Sequence, residues 1–343
     1  MSARPSLVLF ASLALSFATW ACSADTPSAD APNVVPPGAS EVDATNPSGS
    51  EGTASSSGGA STGSRGRATR MPGSTPEGEV FWQTFAAGNY DALDQLQTTL
   101  GEATKKAPSD GYLQRLLGVS YFWQVAEGSR TSGGVFRDAL ASFNGIEALE
   151  ASKAKSPNDP WTPCFLGLLK YEVGSRLGNT TQKGDGLREL ARGIELYPEF
   201  NTYCRALARG GAPRSSPEFQ AAVTDFWRVI ELCDPTVTRD HPEVSDPSKM
   251  ASCTIRARVP HGYNGIWMTM GDVMTKVGDA RIANAFYANA KLAYFDNWPE
   301  KAALEKRLAS QAQNQALFAD ADTKNDPELA FHSARTCVMC HAK

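Results

Sequence analysis

The sharpest chemistry lies at residues 337–341. Cys337-Val338-Met339-Cys340-His341 sets two thiols one helical turn apart, with an imidazole directly after the second. Three chemistries use such groups. Two thiols at this spacing reach the two vinyl groups of a haem and form thioethers, while the imidazole supplies a proximal nitrogen to the iron. A bare Cys-x-x-Cys also serves as a thiol–disulfide pair. With His332 close by in sequence, the same residues would make a zinc knuckle. The first reading uses all three groups in one task. The expectation is therefore one covalent haem c, attached through Cys337 and Cys340, with His341 on the iron.

The motif resembles the attachment site of c-type cytochromes over these five residues. In that family helices after the motif enclose the haem, whereas here only Ala342 and Lys343 follow. Enclosure must then come from the preceding helices, with Trp298, Phe318 and Phe331 as candidates. His261, in Pro260-His261-Gly262, is the candidate distal ligand, and an open sixth position is the alternative. Met268, Met270 and Met274 just after it read as core filling rather than ligands. His332 sits too near the motif to reach the opposite haem face, and His241 lies in a polar insertion. The resemblance implies single-electron transfer to a redox partner protein.

Such chemistry needs an oxidising, haem-maturing compartment, and the N-terminus points there. Arg4 precedes an apolar run from Leu7 to Ala18, which ends at Thr19-Trp20-Ala21-Cys22. The run suits a signal peptide over residues 1–21. Its exit resembles a bacterial lipobox, in which the cysteine takes diacylglycerol, although Thr19 stands where that family prefers Leu. Lipidation at Cys22 would tie the chain to a membrane; the alternative is ordinary cleavage near Ala21. Ser23 in place of Asp favours the outer over the inner membrane. The expected location is the periplasmic side of a bacterial cell envelope. Residues 22–76 are rich in Ser, Gly, Ala, Thr and Pro and are expected to form a disordered tether with a reach of roughly 40 Å.

Composition narrows the remaining choices. There are 33 basic and 37 acidic residues, a net charge of −4, so no basic excess is available for nucleic acid. No stretch after the N-terminal run is apolar and long enough to span a bilayer. No Ser/His/Asp grouping, paired carboxylate or phosphate-binding glycine loop stands out as a catalytic motif.

From Glu77 onward apolar residues recur at three- and four-residue spacing, the signature of helices. Between Ile266 and Tyr294 the pattern is clearest. Ile266, Met270, Val273 and Val277 share one helix face, Gly278-Asp279 turns the chain, and Ile282, Phe286, Ala290 and Ala293 share another. This hairpin resembles a tetratricopeptide repeat: Trp267, Met270-Gly271 and Met274 stand at the first-helix positions, and Ala283, Tyr287 and Ala290 at those of the second. Phe295 replaces the family's closing Pro. Leu117-Gly118 with Tyr121, and Leu166-Gly167 with Tyr171, look like further first helices. Gly145, Leu149, Ser152 and Pro157, then Gly186, Leu190, Gly193 and Pro198, have second-helix spacing, which Leu96, Leu100, Ala103 and Pro108 fit less well. Loops are expected over 127–134 and 174–184.

The resemblance implies an all-α protein, a TPR-like α-solenoid over 77–320, followed by a haem-attachment tail over 321–343. An irregular helical bundle obeys the same packing rules. Repeats of this kind generally bind proteins in a groove, so the competing function is a non-redox interaction scaffold in an envelope protein complex. Four of the seven cysteines lie in the helical body. Cys233 and Cys253 flank a Pro-rich insertion and are the favoured disulfide, which leaves Cys164 with Cys204.

Overall fold

Helix starts are written into the sequence as capping side chains. Thr75 Oγ1 accepts from the Gly78 N–H at 3.0 Å, just ahead of Pro76. Asp110 Oδ1 accepts from the Tyr112 and Leu113 N–H groups at 2.9 and 3.1 Å. Asn179 and Ser216 cap two later helices in the same way. The computed structural model describes residues 75–131, 134–245, 253, 258–292, 298–320, 322–333 and 335–341. The signal-like segment, Cys22 and nearly all of the Ser/Gly-rich stretch lie outside the described residues, as do Ala293, Tyr294 and Phe295.

Among the described residues there are thirteen helices and no strand. They are α1 (Pro76–Ala86), α2 (Leu93–Lys106), α3 (Gly111–Ala126), α4 (Gly134–Lys155), α5 (Thr162–Arg176), α6 (Thr180–Leu196) and α7 (Pro198–Gly210). Then follow α8 (Pro217–Cys233), α9 (Gly262–Val277), α10 (Ala280–Leu292), α11 (Lys301–Ala309), α12 (Gln311–Ala319) and the single turn α13 (Val338–His341). None of these helices is long and apolar enough to cross a membrane.

Successive helices pack in pairs: α3 on α4, α5 on α6, α7 on α8, and α9 on α10. Glycines noted in the sequence sit where two of these pairs touch. A Cβ added at Gly118 would lie 3.2 Å from the Gly145 carbonyl, and one at Gly167 would lie 2.9 Å from the Gly186 carbonyl. Leu149 and Leu190 fill the space beside each contact. Between α3 and α4 the chain makes a short 3-10 turn at Gly128–Arg130. The expected 174–184 loop shrinks to three residues, 177–179. Gly178 turns the chain at φ 63° and Asn179 caps α6 at once, so Gly174 and Gly184 both remain helical.

One helix departs from the amphipathic pattern. α9 is buried on every side from Gly262 to Lys276, although the sequence marks only one apolar stripe. Its second face is covered by the segment from Leu329 to Met339, which joins the same core cluster. Polar groups on that face are satisfied in place. The Asp272 carboxylate takes Arg307, the Tyr287 hydroxyl and the Ala330 N–H, and Lys276 Nζ donates to the Ala212 carbonyl at 2.8 Å. Leu329, Ala330 and Phe331, and then Cys337 and Met339, are therefore packed into the body rather than hung from it as a tail.

Both cysteine pairs favoured by the sequence stand at disulfide distance. Cys164 on α5 and Cys204 on α7 have Cα atoms 5.5 Å apart, and Cys233 at the end of α8 and Cys253 have theirs 5.6 Å apart. The first pair ties consecutive hairpins together in a small core with Tyr171 and Leu190.

Candidate haem-attachment site

The motif segment lies between two cores. Cys337 packs with Phe81, Phe85, Leu93 and Trp123 of α1–α3, whereas Met339 belongs to the core around α9. This close approach to α9 depends on Gly265, where an added Cβ would collide with Cys340 Sγ.

Four contacts orient the segment. Glu127, fully buried at the end of α3, turns Oε1 to the N–H groups of Cys337 and Val338, at 2.6 and 2.9 Å, and so caps α13. Its other oxygen accepts from the Tyr90 hydroxyl and from Trp123 Nε1. Trp298 Nε1 donates to the Met339 carbonyl at 2.7 Å. The His261 N–H donates to the Cys340 carbonyl at 3.0 Å. Finally, His341 Nδ1 meets the Arg258 carbonyl at 2.6 Å. Arg258 is itself clamped to α1, by an ion pair with Glu79 and by its guanidinium 5.4 Å over the Trp82 ring. The His341 ring packs 4.7 Å from Phe85 and 6.3 Å from Trp82, centre to centre.

Beside Cys340 and His341 opens a cavity of about 130 Å³, partly open to solvent. Its lining is almost wholly apolar and rich in aromatics: Trp82, Trp161, Phe165, Phe200, Tyr203 and Ile266 among others. These residues come from α1, α5, α7 and α9. Burial pushes the His341 imidazole down to about 4, so the ring is neutral at physiological pH. With Nδ1–H donated to a backbone carbonyl, Nε2 is the nitrogen left with a lone pair, the tautomer a metal ligand needs. Burial pushes the Cys340 thiol up to about 12 and raises that of Cys337 well above its ordinary value, with the Glu127 charge adding to the latter. Both thiols stay protonated, which disfavours thiol–disulfide exchange, since that needs a thiolate.

The site residues expected from sequence are brought together unevenly. Cys340 and His341 share the cavity wall, while Cys337 is buried in the adjoining α1–α3 core. His261 touches the motif through its backbone alone. Its side chain is absent from the cavity lining, and its buried Nδ1 has no partner. Met268, Met270 and Met274 are fully buried core residues. His332 lines a separate, polar cavity with Lys276 and Phe318, so it does not stand beside His341. His241 is exposed.

Of the three aromatics expected to enclose the site, Trp298 contacts the motif. Phe331 packs against Phe226, 6.0 Å between ring centres, and Phe318 faces Lys276. Enclosure comes instead from hairpins far earlier in the chain. Glu127 and the cavity aromatics carried no motif signal. The one hint was the density of aromatic residues in α1, α3 and α5, which reads equally as ordinary core. Compared with protein-family models, with curated proteins and with solved structures, the chain matches none of them.

Proposed function

We propose that this chain is a c-type haem protein of the bacterial envelope, held to the membrane by a lipid on Cys22, with one haem attached through Cys337 and Cys340 and ligated by His341. The observation that carries the reading is the pairing of a neutral, carbonyl-anchored His341 with an aromatic-lined cavity at its side. An iron porphyrin is a flat, apolar group of the kind such a cavity suits. One free thiol, Cys340, and the imidazole of His341 stand at the aromatic wall, while Cys337, also free, lies in the adjoining core and would have to be uncovered to reach the group.

When bound, haem supplies a reversible one-electron couple, and electron transfer to a redox partner is the proposed activity. The chain's own part is positional. Glu127 fixes the first turn of α13, the Arg258 carbonyl sets the His341 tautomer, and the aromatic wall offers an apolar surface beside it. Among the described residues no second imidazole or thioether lines the cavity, and His261 would serve as a second ligand only if its ring turned toward it. We also propose a TPR-like solenoid, supported by the paired helices and the close glycine contacts within two of the pairs.

The test is to produce the chain in a bacterium that matures c-type cytochromes and weigh the peptide that follows Arg335. One added haem, lost when Cys337 and Cys340 become Ser, is the expected result. An unmodified peptide from cells that mature another c-type cytochrome rejects the reading. The interaction scaffold would then lead. It is favoured by Phe136 and Leu140 on α4, which stand 68% and 43% exposed, as apolar groups on a docking face do.

A further inference from the structure

The cavity wall carries one feature that attachment and ligation do not use. Arg115, on α3, is 3% exposed and lines the cavity. Its Nη1 is paired with Asp159, but its Nη2 has no acceptor in the protein. A buried guanidinium nitrogen without a partner carries a desolvation cost. Trp161, at the start of α5, repeats the pattern: it is 7% exposed, lines the same cavity, and its Nε1–H has no acceptor. The two residues are linked through one loop. Asp159, which takes Arg115, also accepts from the Thr162 N–H at 2.8 Å, next to Trp161. The residues of an otherwise apolar wall therefore include two buried side chains that each keep one N–H without an acceptor among the described residues, and one of them is cationic.

We infer that Arg115, helped by Trp161, binds a carboxylate of the cavity's occupant, which in the haem reading is a haem propionate. This rests on the haem reading of the cavity and adds the residue that orients the porphyrin. The porphyrin's chemistry agrees. The vinyl groups that take the thiols and the two propionates sit on opposite edges of the ring, so an acid-binding site is needed apart from Cys337 and Cys340. A guanidinium fork suits a carboxylate, and a buried one binds it more strongly than a surface lysine would. Asp159 already shares the charge of Arg115, which keeps the expected gain modest.

Equilibrium binding to the mature full-length chain, made in a host without c-type maturation, tests this. The probes are iron protoporphyrin and its dimethyl ester, which has the same ring and no ionised carboxylate. The wild type should bind the free acid about tenfold more tightly than the ester. Arg115→Gln should bring that ratio close to one, and Trp161→Phe should lower it less. Asp159→Asn removes the ion pair but leaves the Nη2 donor, and should keep the preference. Equal binding of acid and ester by the wild type overturns the inference while leaving the haem reading intact. Binding of neither overturns both. Should Arg115→Gln fail to fold, the wild-type ratio and the Trp161→Phe ratio still decide.

Discussion

The C-terminal segment is anchored at two buried carboxylates, and they solve the same problem differently. At the Ala330 end, the Ala330 N–H donates to Asp272 Oδ2 at 2.7 Å, while Arg307 Nε lies 2.9 Å from both oxygens and the Tyr287 hydroxyl adds a bond at 2.7 Å. The charge is matched in place. At the Cys337 end, Glu127 accepts from two backbone N–H groups, a tyrosine and a tryptophan, and makes no salt bridge among the described residues. Burial pushes its carboxyl above the usual range, although its hydrogen bonds pull the other way. A matched ion pair tolerates neither loss nor change, because removing one partner strands the other charge in the interior. A carboxyl held by neutral donors works in either protonation state and leaves the motif segment easier to open. That is a sensible division if the Cys337 end must admit a prosthetic group during maturation, while the Ala330 end only has to hold.

The contrast makes graded predictions. Asp272→Ala should be the most damaging, costing about 3–5 kcal/mol in chemical denaturation because Arg307 is left buried and unpaired. A cost below about 1 kcal/mol would break the comparison at its stronger anchor. Next, the haem-free chain should weaken as the pH falls from 6.5 toward about 4, because the unfolded His341 takes a proton that the folded one refuses. The loss from this group should be on the order of 3 kcal/mol and vanish in His341→Phe. Gly265→Ala should cost about 1–3 kcal/mol, since the new methyl meets Cys340, and it should lower haem attachment more than it lowers overall helicity.

The smallest effect is expected at the weaker anchor. Glu127→Gln should cost about 1 kcal/mol and speed amide exchange at Val338. The sign of its pH dependence follows from the raised carboxyl. The unfolded side chain ionises first, near 4.5, so the Glu127 contribution is greatest below that value and declines as pH rises through the folded one. Measured against Glu127→Gln, the wild type should therefore lose ground from acid toward neutral pH. A gain would mean that hydrogen bonding, not burial, governs this group.

Much of the local structure was legible. The α9–α10 hairpin follows from the spacing of Ile266, Met270 and Val273 against Ile282 and Phe286, with the turn at Gly278. The Cys233–Cys253 pairing was legible because the two flank one insertion. What failed was nonlocal. The second buried face of α9 leaves no apolar periodicity in the sequence because it carries Asp272, Thr275 and Lys276, each of which finds a partner in the fold. His261 looked like a ligand from its neighbours, but the cavity passes it by.

The sequence by itself determined the helical periodicity, the capping residues, the small residues at helix contacts and the Cys337/Cys340/His341 spacing, because each depends on neighbours within a turn or two. Only the tertiary structure decided what surrounds that motif. Glu127 reaches Cys337 across 210 residues of chain, and the cavity wall is assembled from helices whose order in sequence gives no hint of their meeting. Burial, the unmet donors of Arg115 and Trp161, and the depressed basicity of His341 are properties of an enclosed volume. A one-dimensional pattern records which side chains turn inward, but not which of them end up facing the same space.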